Sequence, residues 1–504
     1  KPFQSCDIQD ECPLSSSKKE REPTRIRLFA QAMKSTDALL AAWEKTLDRG
    51  GDRPAIVTAI GAPLRTFGEI ETSARHFEEK LPDGAGSVVA IQIGNHPDWP
   101  AMFLACLRRG LVVLPLDESM TNHRRDAALE ICQAKAVLSV TPGRGGSEPP
   151  ALRSWQPPGQ TIEINRPYLQ NPPSLLKLTS GTTAAPRAIR FRSEQLLADC
   201  EQICDTMGLS DADLNFGVIP ISHSYGFSNL LTPLIARGVS MVVTNDRTPR
   251  AVLENIAASR ATVLPATPVF YQAFCETENA PKLPHLRLCI SAGAPLPLGT
   301  SQRFRDLFHL PIHSFYGASE CGGICYDQAG TADFDGFVGS AMRGVRLEAI
   351  ASETNSTQVR VRSAAAGEGY FPQPDPDKLG DGTFVPDDLL ERAGEGFRIV
   401  GRISELINVA GKKVNPAEVE AHLRRCPGVR DAVVFGRKSE RRNEEIAACV
   451  VLADPAVAES TVLDFARQTL SPWQVPKRLF LVSEIPANER GKISRRELAQ
   501  RYPE

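Results

Sequence analysis

From about Asp52 onward, short aliphatic and β-branched runs alternate with longer stretches whose apolar positions recur at helical spacing. Val88 to Ile93 (VVAIQI) reads as a buried strand, Trp99 to Leu107 as a helix, and Leu111 to Leu116 as the next strand. Ala136 to Val140, Val239 to Thr244 and Ala261 to Pro265 repeat the strand signal. Upstream, Leu39, Leu40, Trp43 and Leu47 fall on one face of the first predicted helix. Alternation at this spacing predicts an α/β chain with largely parallel sheets covered by helices. Residues 142–174, with Pro142-Gly143-Arg144-Gly145-Gly146 and Pro157-Pro158-Gly159, read as a surface connection inside a large lobe. From Gln358 to Gly401 short alternating strands and Gly/Pro turns predict a small antiparallel β subdomain. After Arg402 the order is strand (406–409), helix (416–425), strand (431–435), strand (445–452), helix (461–470), which predicts a separate small α+β domain.

Length and composition sharpen this picture. A chain of 504 residues predicts several lobes and can bury its apolar surface without disulfide staples. Net charge is −2, so no global basic field draws it to nucleic acid. No run approaches the roughly 18–20 apolar residues of a membrane span, since Met102 to Leu116 is broken by Arg108 and Arg109. The small total hides an asymmetry: residues 402–504 carry 18 basic and 14 acidic side chains, net +4, against 40 and 46, net −6, elsewhere. The 12 cysteines form no Cys-x-x-Cys pair and lack His partners at zinc spacing. They read as buried free thiols of a reducing, cytoplasmic compartment. Residues 1–28 are polar and charged, without the apolar core of a secretory signal, and read as a disordered tail.

The chemistry concentrates first in Leu178-Thr179-Ser180-Gly181-Thr182-Thr183-Ala184-Ala185-Pro186-Arg187. Hydroxyls and a glycine stand between an apolar strand and the helix-like stretch from Ser193 to Cys204. Such a loop offers hydroxyl and backbone N–H donors to phosphate, with Arg187 as a nearby cation. It is not a Walker A loop, because no Gly-Lys-Ser/Thr follows. Alone, it fits a plain surface turn equally well.

Five further blocks follow in order: Pro220-Ile221-Ser222-His223-Ser224-Tyr225-Gly226; Ser291 to Leu296; Phe315-Tyr316-Gly317-Ala318-Ser319-Glu320; Thr383 to Leu389 with Gly396 to Arg402 and the stretch 406–420; and Asn488 to Leu498. Together with the loop, they resemble the adenylate-forming superfamily of acyl-CoA synthetases, peptide-synthetase adenylation domains and beetle luciferases. The resemblance covers nearly the whole chain after the tail.

The resemblance implies a site, residue by residue. Thr179, Ser180, Gly181, Thr182, Thr183 and Arg187 would hold the phosphates of ATP. Gly293, Ala294 and Pro295 would form the adenine-edge loop, and Tyr316, beside Gly317 and Ser319, would pack on the base. Asp388 would accept both ribose hydroxyls, and Arg402 would sit beside ribose and phosphate. Glu320 would bind Mg²⁺, the only metal expected. Lys492, Thr182, Glu320 and His223 would carry the adenylation step. His223 would stand at the mouth of an acyl pocket bordered by Phe227, Ser228 and Gly322, with Gly322-Gly323 giving room for an aryl or longer chain. Gly411 would line the tunnel for a pantetheine thiol, and Ser404 would be the hinge. The implied domains are 29–401, binding nucleotide and acyl group, and a mobile 402–504.

The implied reaction is ATP-dependent: a carboxylic acid becomes an acyl-adenylate, then passes to coenzyme A or to the phosphopantetheine of an acyl carrier protein. Arg437, Lys438, Arg441 and Arg442 form a basic set suited to docking such a carrier. A stand-alone enzyme that loads a carrier protein and a non-catalytic nucleotide-binding homologue are the competing readings. The chain departs from the family pattern where Ala184 and Ala188 replace glycines and Arg187 replaces a lysine of the phosphate loop. Ala at a position needing positive φ would cost on the order of 1 kcal/mol. Asp387 stands where the family usually has glycine, so either Asp387 or Asp388 fits the ribose position.

Overall fold

The computed structural model describes residues 37–81, 84–140, 151–154, 172–179, 187–330, 334–350, 357–409, 412–439, 443–485 and 495–502. The expected tail, the phosphate loop from Ser180 to Pro186, Gly411, Arg441, Arg442 and Lys492 lie outside these residues.

Asp37 caps the first helix, Ala38–Gly50, by accepting from the Leu39 and Leu40 N–H groups, both at 3.0 Å. Its apolar face, led by the fully buried Trp43, enters the main core. The Trp43 indole N–H donates to Glu71 at 2.9 Å, and Arg108 donates to the same carboxylate at 2.6 Å. Three helices are thereby tied together by one acid.

A seven-stranded sheet runs in the order Gly369–Phe371, Ala188–Phe191, Leu175–Leu178, Val112–Pro115, Val88–Gln92, Ala134–Ser139, Ala151–Ser154. Its four middle strands are parallel, and the three outer ones pair antiparallel. Both faces are covered, which is why these strands are apolar almost without interruption. The stretch 142–174 is not wholly a connection as expected, because Ala151–Ser154 adds an edge strand.

A second, larger sheet begins with parallel strands that include Leu214–Gly217, Val263–Ala266, Leu288–Ser291 and Ile312–Ala318. It then turns antiparallel through Gly322–Tyr326, Phe337–Ala341, Gly396–Arg402 and Asp388–Ala393. Near the C-terminus, Ile407–Val409, Lys412–Val414, Val429–Ser439, Asn443–Leu452 and Arg478–Leu481 form a separate five-stranded sheet. Helices Pro416–Leu423 and Glu459–Thr469 help to build its own apolar core with Val419, Leu423, Val462 and Ala466. The fold is the mixed α/β arrangement expected, with a small sheet domain at the end.

All ten cysteines among the described residues are buried free thiols. No helix among these residues is long and apolar enough to cross a membrane. Arg437 leaves the expected basic docking set: it is 7% exposed and donates to Glu445 at 2.6 Å. An arginine in the middle of a covered strand pair needs that carboxylate, so it has no charge to spare for a carrier.

Candidate active site

A cleft of about 4910 Å³ gathers most of the expected residues that the structure describes. Thr179, Arg187, His223, Ser228, Gly293, Ala294, Pro295, Tyr316, Gly317, Ser319, Glu320, Gly322, Asp388, Arg402 and Ser404 all line it.

The wall expected to hold the nucleotide is built at strand ends. Ile312–Ala318 carries Tyr316 and turns tightly into Gly322–Tyr326, leaving Ser319 and Glu320 in the turn. The Tyr316 hydroxyl donates to Asp388 Oδ2 at 2.7 Å, and Arg402 Nε donates to Asp388 Oδ1 at 2.7 Å. Burial and the Asp388 carboxylate push the Tyr316 phenol well above its usual value, so it stays a donor. Asp387 instead accepts from Lys378 at 2.9 Å. The pair with Tyr316 and Arg402 therefore belongs to Asp388.

The two ends of the phosphate loop are close together. The Thr179 N–H donates to the Arg187 carbonyl at 2.8 Å, and Leu178 faces Ala188 across the antiparallel pair. Ala188 is fully buried in regular strand and has no positive φ, so replacing the family's glycine there carries no backbone strain. Arg187 stacks over the Tyr370 ring, 4.4 Å from its centroid, and lies 4.0 Å from Asp375. The Tyr370 hydroxyl in turn donates to Glu320 Oε1 at 3.1 Å.

Burial raises the Glu320 carboxyl above its ordinary range, opposed by hydrogen bonds, including that from Tyr370. One hydrogen bond from Tyr370 leaves lone pairs on both of its oxygens for a ligand. A half-buried carboxylate facing a cleft suits Mg²⁺, which keeps waters and takes phosphate oxygens for its remaining positions. No cluster of three or more His, Cys, Asp or Glu that would form a closed metal cage occurs among the described residues.

The opposite wall comes from the segment around His223. Buried Asn95 clamps it, donating to the Gly217 and Ile219 carbonyls (2.9 and 3.0 Å) and accepting from the Ile221 N–H (2.8 Å). At Gly226 a Cβ would lie 2.1 Å from the Pro220 carbonyl oxygen, so the chain can double back only on glycine. This knot presents His223, whose Nε2 lies 2.6 Å from Asp117 Oδ2. The bond from His223 holds Asp117 well below the usual carboxylate range, with Ser119 assisting. Ser224 donates to Ser319 at 2.9 Å and so ties this wall to the nucleotide wall.

Two expectations for the acyl pocket change. Phe227 does not line the cleft: it is 1% exposed and meets Trp99 and Phe103 edge-on at 6.2 and 5.3 Å. A short π-helical segment, Phe227–Leu231, starts there and turns the ring into the core. Gly322 and Gly323 do not open space either. A Cβ on Gly322 would lie 1.9 Å from an Asp199 carboxylate oxygen, and one on Gly323 would lie 2.5 Å from the Met342 sulfur. Cleft residues that sequence reasoning missed include Asp117, Lys177, Tyr225, Asn229 and Tyr370. Tyr225 and Asn229 stand four residues apart just after His223, a helical spacing that puts the two on one face and could have found them.

Ser404 sits in the 3₁₀ turn Ile403–Glu405, directly after the strand ending at Arg402. Arg495 joins this turn to the small domain by pairing with Glu405 and by donating to Glu420 at 2.9 Å. Glu420, 4% exposed, also accepts from the Val434 N–H at 2.8 Å.

Comparison with known proteins gives the family. A family model for AMP-binding enzymes matches residues 43–371, and one for the AMP-binding enzyme C-terminal domain matches residues 418–492. An oxalate–CoA ligase of Arabidopsis thaliana is 27% identical, over 93% of this chain and 99% of its own. A feruloyl-CoA synthase of an Amycolatopsis species is 27% identical, over 83% and 89%. The crystal structure of ATP-bound MatB from Rhodopseudomonas palustris shares the fold, with a TM-score of 0.77 at 24% identity over 92% of this chain and 98% of that one. The chain belongs to the AMP-binding enzyme family, within the adenylate-forming superfamily of acyl-CoA synthetases.

Proposed function

We propose that the protein is an AMP-forming acid–thiol ligase that activates a carboxylic acid as its acyl-adenylate and transfers the acyl group to coenzyme A. One observation carries this reading. A single cleft joins the Tyr316–Asp388–Arg402 cluster, the half-buried carboxylate of Glu320 and the His223 wall. Nucleotide and acid would therefore meet within it.

A carboxylate is a poor electrophile; its attack on the α-phosphorus of ATP, which breaks the α–β phosphoanhydride bond and releases pyrophosphate, gives it AMP as a leaving group. The approach of two anions needs neutralisation from positioned cations and donors. Thr179, the hydroxyls of Ser180, Thr182 and Thr183 and the Gly181 backbone supply donors to the phosphates, and Arg187 supplies charge. Glu320 would hold Mg²⁺, which neutralises phosphate oxygens when bound. Gly293, Ala294 and Pro295 border the base, Tyr316 fixes its plane, and Asp388 with Arg402 fixes the ribose. His223, oriented by Asp117, stands where the acid enters. Lys492 stabilises charge in the adenylation step.

The small domain, residues 402–504, then turns about Ser404, which withdraws Lys492 and brings Gly411 to the cleft. A glycine there leaves room for a pantetheine arm. Thiolate attack on the acyl carbonyl expels AMP and leaves a thioester. Relatives named as CoA ligases favour coenzyme A over a carrier protein as acceptor, and the pairing of Arg437 with Glu445 weakens the carrier-docking alternative.

The test uses both half-reactions. Lys492→Ala is expected to cripple acid-dependent ATP–pyrophosphate exchange while sparing thioester formation from supplied acyl-AMP and coenzyme A. Equal loss in both halves would sink the assignment.

A further inference from the structure

Lys177 lies in the strand Leu175–Leu178, between residues that read as ordinary apolar core. Side chains alternate along a strand, so Leu176 and Leu178 join the core on one face, while Leu175 and Lys177 face the other. Lys177 is only 5% exposed, yet it lines the cleft. Its Nζ rests over two aromatic rings, 4.7 Å from the centroid of Phe191 and 5.4 Å from that of Phe227. Among the described residues it makes no hydrogen bond and no ion pair. Aromatic faces attract an ammonium but do not replace its lost hydration.

Burial depresses the amine, and the field of Asp199 is the strongest influence keeping it charged. Asp199 is itself engaged. It is 4% exposed, and its Oδ1 accepts from the Gly323 N–H at 3.0 Å. A buried cation facing a cleft, its three donors without a partner among the described residues, suits an anion that enters through the cleft.

The surroundings indicate which anion. Phe227, under the ammonium, immediately precedes Ser228 and Asn229 on the acyl wall. The Tyr316–Asp388–Arg402 cluster belongs to the other large sheet. Resting on the ligase reading above, we propose that Lys177 determines acyl specificity, its ammonium receiving a second carboxylate of the substrate, so that the enzyme prefers dicarboxylic to monocarboxylic acids of equal length. An acid carrying two negative charges would meet the carboxylates of Asp117 and Glu320 in the cleft; Arg247, the cation in the field of Asp117, already donates to the Val218 carbonyl, and Lys177 is the buried cation with a side chain still to pair. Lys177 takes no part in bond making; it pairs with the far end of the acid and leaves the near carboxylate to be activated.

The experiment is acid-dependent ATP–pyrophosphate exchange by the full-length enzyme, its Lys177→Met and its Lys177→Arg variants. Matched acid pairs are succinate with butyrate, glutarate with valerate, and terephthalate with benzoate. The wild type is expected to favour the diacid of at least one pair in kcat/KM by on the order of 100-fold or more. Lys177→Met should erase or invert that ratio with KM for ATP unchanged, and Lys177→Arg should retain part of it. Monoacids used as well as diacids by the wild type, or an unchanged ratio in Lys177→Met, would overturn the inference while leaving the ligase reading intact. Failure of every acid, with ATP binding retained by calorimetry, would overturn the ligase reading and this inference with it. Melting gives a separate readout. Without substrate, Lys177→Met should melt at or above the wild-type temperature, because methionine fills the space without a buried unpaired charge. A clear fall would make Lys177 a structural partner of Asp199 and overturn the proposal.

Discussion

Asp388 and Arg402 are direct partners across an antiparallel strand pair, and Arg402 Nε donates to Asp388 Oδ1 at 2.7 Å. Strand register rather than loop geometry fixes the pair, so the acceptor expected to meet ribose is positioned before nucleotide arrives. Its second oxygen is held by the Tyr316 hydroxyl. Asp388→Asn replaces an acceptor-only group with one that is half donor. The expected outcome is a KM for ATP raised about tenfold or more in pyrophosphate exchange, with a smaller change in KM for the acid. Tyr316→Phe keeps the ring and loses only the donor, so its effect should be several-fold smaller.

Tyr370 links two parts of the site, its ring under Arg187 and its hydroxyl on Glu320. On the proposed reading Tyr370 orients the carboxylate that would hold Mg²⁺, and loss of such a partner costs about 10-fold or more in metal affinity. Tyr370→Phe should raise the Mg²⁺ concentration for half-maximal pyrophosphate exchange by about that factor at unchanged KM for the acid. Tyr370→Leu also removes the platform for Arg187 and should in addition raise KM for ATP. If the two variants behave alike, the stacked arginine has no role of its own.

Much of this was legible in the chain, and the failures share a cause. Val88–Gln92, Trp99–Arg108 and Ser193–Met207 lie where hydrophobic spacing predicts them, because local periodicity is set by which faces are covered. That Tyr316, Glu320, Asp388 and Arg402 meet in one cleft was legible because they occur in contiguous, recognisable blocks. The acyl wall was read by proximity to His223, and proximity misled. Phe227 follows His223 by four residues but is turned into the core by the change of helical pitch that begins there. Lys177 was overlooked for the opposite reason: a lysine inside an alternating strand reads as a solvent-facing position, and only the second covered face shows that it is buried. Asp117 lies 106 residues from His223 in sequence, and no local pattern joins them.

That distant pair sets a pH dependence of stability. The hydrogen bond from His223, with help from Ser119, holds the Asp117 carboxyl below its ordinary value near 3.9. A carboxylate whose folded value is depressed stabilises the fold fully above the unfolded value, and the contribution is lost as pH falls below it. Asp117→Asn should therefore cost about 1–2 kcal/mol at pH 5. The difference from wild type should narrow between pH 4 and pH 3. Denaturant titrations at pH 5, 4 and 3 measure it, and a gap that widens on acidification would show that the pair does not stabilise the ionised carboxylate.

Gly322 offers a sharper test of how the site is held, because two of its constraints can be separated. It has φ +68°, and an added Cβ would lie 1.9 Å from Asp199 Oδ1. Gly208 has nearly the same φ, +67°, with nothing within 4 Å of its Cβ position. Gly208→Ala therefore measures the backbone penalty alone, about 1–2 kcal/mol. Gly322→Ala carries that penalty plus the displacement of a buried carboxylate that accepts from the Gly323 N–H. We expect it to be destabilised by roughly 2 kcal/mol more than Gly208→Ala, read as a lower unfolding midpoint in parallel melts. The same displacement moves the strongest charge in the field of Lys177, so acid selectivity should change in Gly322→Ala and stay unchanged in Gly208→Ala. Equal melting points for the two variants would mean that Asp199 can move aside freely and does not fix the acyl wall.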